Sequence, residues 1–88
     1  MLKHYIEKYI KNMSINDVYN FAEKNNVKLN NEEANIIYSS IKDDWEILVF
    51  GDYKIILNKY KDKLSKSLII EIEKLIVNYK EKYSQLLN

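Results

Sequence analysis

Apolar residues return every three or four positions along most of the 88-residue chain, and the breaks between these runs mark out helices. Leu2, Tyr5, Ile6, Tyr9, Ile10 and Met13 share one helical face, with Lys3, Glu7, Lys8 and Lys11 elsewhere on the same segment. Ser14 followed by Asp17 is a capping box with Asp in place of Glu, and it opens a second helix striped by Ile15, Val18, Phe21 and Ala22. Asn25-Asn26 stops that helix, because Asn tolerates the left-handed conformation helix ends use. Val27-Lys28-Leu29 alternates as an extended strip. Asn30 with Glu33 forms another cap-like pair, and the helix behind it places Ala34, Ile37, Tyr38 and Ile41 on one side.

From Asp43 to Asp52 the pattern admits an extended loop, a helical turn or a lone strand. A lone strand would have no partner, so the expectation is an extended connector pinned by Trp45, Leu48 and Phe50. Asp52 then caps a fourth helix carrying Tyr53, Ile56, Leu57, Tyr60 and Leu64. Ser65 or Ser67 starts the last and longest helix, striped by Leu68, Ile72, Leu75, Ile76, Tyr79, Tyr83 and Leu86. The predicted fold is all-α: a single domain over residues 1–88, built as a compact bundle of about five short helices. It contains a helix-extended-helix unit and a longer C-terminal helix. In that last helix Ile69, Ile70 and Val77 lie off the main stripe. Either the helix is central and contacted all round, or these residues form a partner surface.

Composition narrows the chemistry. Hydrophobic residues make up 47% of the chain, ample for a packed core and too many for disorder. There is no cysteine, so neither a disulfide nor a zinc-thiolate centre is available, and a reducing compartment fits. The N-terminus lacks the apolar run of a signal peptide, and Leu68-Ile69-Ile70 is far too short to cross a bilayer. Cytoplasm is the expected location, with no membrane partner. The formal net charge is +1, too small for a whole-molecule field that collects polyanions. All 14 basic residues are Lys, and without guanidinium the forked contact to guanine cannot be made.

Catalytic and ligand-binding motifs are missing. His4 is the lone histidine, and no serine or cysteine nucleophile with a matching base accompanies it. Asp43, Asp44, Glu46 and Asp52 cluster, but Trp45, Ile47, Leu48, Val49 and Phe50 stand where a calcium loop needs oxygens. Glu32-Glu33 suits a helix N-terminus. One glycine cannot build a phosphate loop. The expectation is a protein that is not an enzyme, with no metal, no cofactor and no small-molecule substrate. The densest charge pattern is Lys54, Lys59, Lys61, Lys63 and Lys66, broken by Asp62. Lys59, Lys63 and Lys66 would share a face if one helix ran through them, and such a stripe could lie along phosphates as point charges. The acidic residues just before it could instead neutralise it. The tyrosines fall mostly on apolar stripes, which suits core packing with hydroxyls reaching water.

The run from Ser14 to Ala22, then Asn26-Val27-Lys28-Leu29-Asn30, then Glu33-Ala34 and Ile37, resembles the YqfT-like family, short Firmicute proteins that form a domain of unknown function. The likeness extends more loosely over residues 10–83 and rests on structural motifs, so it implies a fold and no activity. The family's Asn-rich turn ending in Ile-Phe is replaced here by Trp45-Glu46-Ile47-Leu48-Val49-Phe50. The same segment is similar to helix-extended-helix units of some nucleic-acid-binding domains, a likeness of motif alone.

Two functions are therefore expected. The first is a protein-interaction module or small homo-oligomer using Ile69, Ile70 and Val77. The alternative is a nucleic-acid-binding accessory domain in which Lys59, Lys63 and Lys66 contact phosphates without sequence preference.

Overall fold

The computed structural model of the chain describes residues 2–82. Five helices follow one another: α1 (Leu2–Asn12), α2 (Ile15–Lys24), α3 (Asn31–Phe50), α4 (Tyr53–Tyr60) and α5 (Lys66–Lys82). No strand occurs among the described residues. The fold is all-α, as the apolar spacing predicts. The contacts divide the chain into two units, residues 1–43 and 44–88.

In the first unit the punctuation falls where the polar residues predict it. The Ser14 backbone N–H donates to the Asp17 carboxylate at 2.8 Å, and the Asp17 N–H donates back to the Ser14 hydroxyl at 3.4 Å. Asn30 and Glu33 repeat the exchange at the start of α3, at 2.9 and 2.8 Å. Asn26 takes a positive φ of 61°. Its N–H donates to the Glu23 carbonyl and that of Val27 to the Ala22 carbonyl, which closes α2 in a Schellman motif. Residues 27–30 then run without regular structure, Val27 and Leu29 half-buried and Lys28 exposed. Val18, Ala22 and Ala34 are buried, Ala34 completely (0% exposed), so α2 and α3 carry their innermost contacts on small side chains.

Four long-range hydrogen bonds, from three side chains, tie this unit together. The Tyr19 hydroxyl donates to the Asn31 side-chain carbonyl at 2.6 Å. The Tyr38 hydroxyl donates to the Met13 carbonyl at 3.2 Å. The Lys42 ammonium, itself 5.4 Å from the Tyr38 ring, donates to the carbonyls of Ile10 and Lys11 at 2.6 and 2.9 Å. A helix leaves its last carbonyls without internal donors and gathers negative potential there, so one cation satisfies both needs for α1.

The stretch 43–50 departs from expectation: it is helical and extends α3 to Phe50, where the sequence suggested an extended connector. The reason is visible in the residues. Ile41, Trp45 and Leu48 continue the three-four spacing, and no Pro or Gly interrupts it before Gly51. The helix is not regular throughout, since Asp44 leaves helical geometry (φ −119°, ψ 15°). That residue stands at the boundary between the two units. In consequence α3, not α5, is the longest described helix.

In the second unit Trp45, Ile56, Leu64 and Leu68 are buried. Trp45 meets Phe50 edge-on, with ring centroids 6.3 Å apart. Gly51 ends α3, donating to the Ile47 carbonyl at 3.0 Å; a Cβ there would sit only 3.1 Å from that oxygen. Asp52 caps α4 by accepting the Lys54 N–H at 3.0 Å. Ser65, rather than Ser67, caps α5 by accepting the Leu68 N–H at 3.2 Å. Tyr83 and Leu86, placed by the sequence on the α5 stripe, lie outside the described residues.

Replacing Lys42 by Met keeps much of the stem and removes the ammonium from the end of α1. The expected cost is about 1–2 kcal/mol, read as a lower thermal midpoint in circular dichroism. An unchanged midpoint would mean that water serves those carbonyls equally well.

Candidate functional site

No single helix carries the lysine stripe. Helix α4 ends at Tyr60, with Lys61 at its C-cap. Lys63 then lies in the turn, and Lys66 opens α5. Lys59 and Lys63 do come together, their ammonium groups 5.4 and 5.8 Å from the Tyr60 ring. Lys59 is also spent on an ion pair: it donates to the Asp44 carboxylate at 3.2 Å. That hydrogen bond, with the charge of Asp44, holds the Lys59 ammonium above the ordinary lysine pKa. Neutralisation by the preceding acidic residues is thus realised by Asp44. Three aligned, uncommitted point charges for a phosphate backbone are not what this region presents.

The second candidate is α5. Only Leu68 is buried on this helix among the described residues, while Ile69, Ile72, Leu75, Ile76 and Val77 are half-buried. Ile70 is 53% exposed. Ile70 and Val77 stand seven residues apart and so share a strip, with Ile69 and Ile76 on the next strip round. The helix is fixed on its α4 side by polar contacts. The Tyr53 hydroxyl donates to the Glu73 carboxylate at 3.3 Å, and Lys80 donates to the Gly51 carbonyl at 3.1 Å from above the Tyr53 ring. Partial desolvation, then the neighbouring Glu73 carboxylate, raises the Tyr53 hydroxyl pKa. Ile55 on α4 is a further exposed aliphatic, at 60%.

A third feature went unread in the sequence. Tyr5 and Tyr9, assigned to the inner stripe of α1, are 73% and 67% exposed. Leu2, Ile6 and Ile10 are the half-buried residues of α1 and Met13 just beyond it is buried, so the rings are left one step aside on the helix margin. With Lys8, Asn12, Met13 and Asp17 they line an open groove of about 340 Å³. The narrower spacing of Leu2, Ile6, Ile10 and Met13 could have revealed this, since those four suffice for the inner face. His4 is exposed, and no cluster of metal-ligating side chains occurs among the described residues. No described helix is long and apolar enough to cross a membrane.

Compared with protein families, characterised proteins and solved structures, the chain matches none.

The two raised pKa values have the same sign of effect on stability. Lys59 contributes while charged, below its unfolded pKa, and that contribution is lost as pH rises through its higher folded value. Tyr53 is held neutral in the folded state, so deprotonation at alkaline pH also favours unfolding. Stability is expected to decline above about pH 10, and Lys59→Met with Tyr53→Phe should flatten that decline. Denaturant titrations from pH 8 to 11 check it; an equally steep alkaline loss in the double variant would remove both residues from the account.

Proposed function

We propose that the protein is a small protein-interaction module whose α5 face pairs with a second copy of the chain. The observation that carries this reading is Ile70, exposed on a helix whose other off-stripe aliphatics, Ile69 and Val77, are covered only in part. An aliphatic strip of this kind on a charged helix, bordered by Lys66, Glu73 and Lys74, has the make-up of an apolar contact with a polar rim.

A second copy suits the charges. Helix α5 carries Lys66, Lys74, Lys80 and Lys82 against Glu71, Glu73 and Glu81, so two antiparallel copies can set opposite charges across a two-fold axis. The net charge of +1 gives two copies almost no mutual repulsion. The absence of cysteine fits a reducing compartment such as the cytoplasm. The phosphate-binding reading of Lys59, Lys63 and Lys66 is the weaker one, because Lys59 is engaged by Asp44 and the helix stops at Tyr60.

Sedimentation equilibrium over a wide protein concentration range tests the proposal. Wild type is expected to associate, and Ile70→Glu to weaken association by at least tenfold while folding normally, since the side chain is exposed in the single chain. A wild type that stays monomeric at the highest concentration, or an Ile70→Glu variant that associates as well, would contradict it.

A further inference from the structure

The three helices of the first unit are held by unequal means. Helices α2 and α3 carry the buried side chains Val18, Ala22 and Ala34, and the Tyr19 hydroxyl binds Asn31 across their link. Their facing ends are closed by local residues: Ser14 with Asp17, the Schellman turn at Asn26, and Asn30 with Glu33. None of these closures uses a residue of α1.

Helix α1 is attached differently. No residue of it is buried: Leu2, Ile6 and Ile10 are half-covered and the other positions are exposed. Its first turn has no acidic residue to suit the positive end of the helix. At 11 residues it is also shorter than the roughly 12–15 that an isolated helix needs to persist in water. Its order therefore depends on docking. Two α3 side chains grip the end of α1: the Lys42 ammonium on the Ile10 and Lys11 carbonyls, and the Tyr38 hydroxyl on the Met13 carbonyl. They stand one helical turn apart, with the ammonium 5.4 Å from the Tyr38 ring, and so form one clasp.

We infer that α1 is a detachable strap: it undocks and unwinds as a unit while α2 and α3 stay folded, and Lys42 with Tyr38 is the clasp that sets how often it opens. Segments with few buried apolar contacts open at lower free energy than the core of the same domain. Opening bares Ile6 and Ile10 and frees both clasp side chains at once. The strap belongs to the first unit and does not depend on α5 self-association.

The test is hydrogen–deuterium exchange of the full chain at dilute protein. Because undocked α1 cannot hold its helix, its amides from Ile6 onward report the opening directly. They are expected to exchange roughly tenfold faster, or more, than those in the middle of α2 and α3. Lys42→Met should raise exchange in α1 by about 5- to 30-fold, and Tyr38→Phe, which keeps the ring and loses the hydroxyl, by a smaller factor. Ala34→Gly, which loosens the core of α2 and α3, should speed exchange there and leave α1 unchanged, since α1 opens with that core intact. If Ala34→Gly does not fold, guanidinium below the unfolding transition takes its place. It should speed α2 and α3 more steeply than α1, because a local opening exposes less surface. Three results would overturn the inference: α1 amides protected as well as those of α2 and α3, α1 exchange that rises in step with theirs in Ala34→Gly or guanidinium, or α1 exchange in Lys42→Met equal to wild type.

Discussion

A helix can bury only the arc that its neighbours reach, and in a chain of 88 residues without cysteine the neighbours are few. Among the described residues the buried apolar set is Met13, Val18, Ala22, Ala34, Trp45, Ile56, Leu64 and Leu68, and it includes no large side chain that is wholly enclosed. Most of the remaining aliphatics sit half-covered along the helix margins. Everything else in the structure answers to this thin core. Helix ends are closed by specific polar groups, because packing alone does not fix where short helices stop. Ser14 with Asp17, Asn30 with Glu33, Asp52 and Ser65 close the beginnings, while Asn26 and Lys42 close the ends of α2 and α1.

The same constraint accounts for where function is sought. A protein whose core takes up so little of its apolar surface carries the rest outward, and the question is which of that surface is organised. On α5 it is organised as a strip through Ile70 and Val77 with lysines and glutamates at its border. On α1 it is a pair of exposed rings, Tyr5 and Tyr9, at the margin of the helix. The two faces lie in different units of the chain. Lys59 shows the opposite case: a residue conspicuous in the sequence is drawn into an ion pair and a ring contact within its own unit.

The helices and their caps were legible because each cap is a local event, decided by residues three or four apart. Ser14–Asp17 and Asn25-Asn26 needed no tertiary information. The segment 43–50 was misread because a lone strand without a partner left an extended connector as the preferred reading, although Trp45 and Leu48 kept the helical spacing of Ile41. The alignment of Lys59, Lys63 and Lys66 was read on one unbroken helix, and the turn after Tyr60 interrupts that helix. Tyr5 and Tyr9 were hidden by their type, since tyrosine fits an apolar stripe and an exposed margin equally. Lys42 could not be read at all. Its role arises only when α3 folds back on the end of α1, a contact between residues more than thirty positions apart.

Hydrogen–deuterium exchange of the full chain at dilute and at concentrated protein tests the central claim, that the α5 face is completed by a second copy. Added protection at high concentration confined to α5 and centred on Ile70 is the result this account predicts. Exchange in α5 that is the same at both concentrations would contradict it.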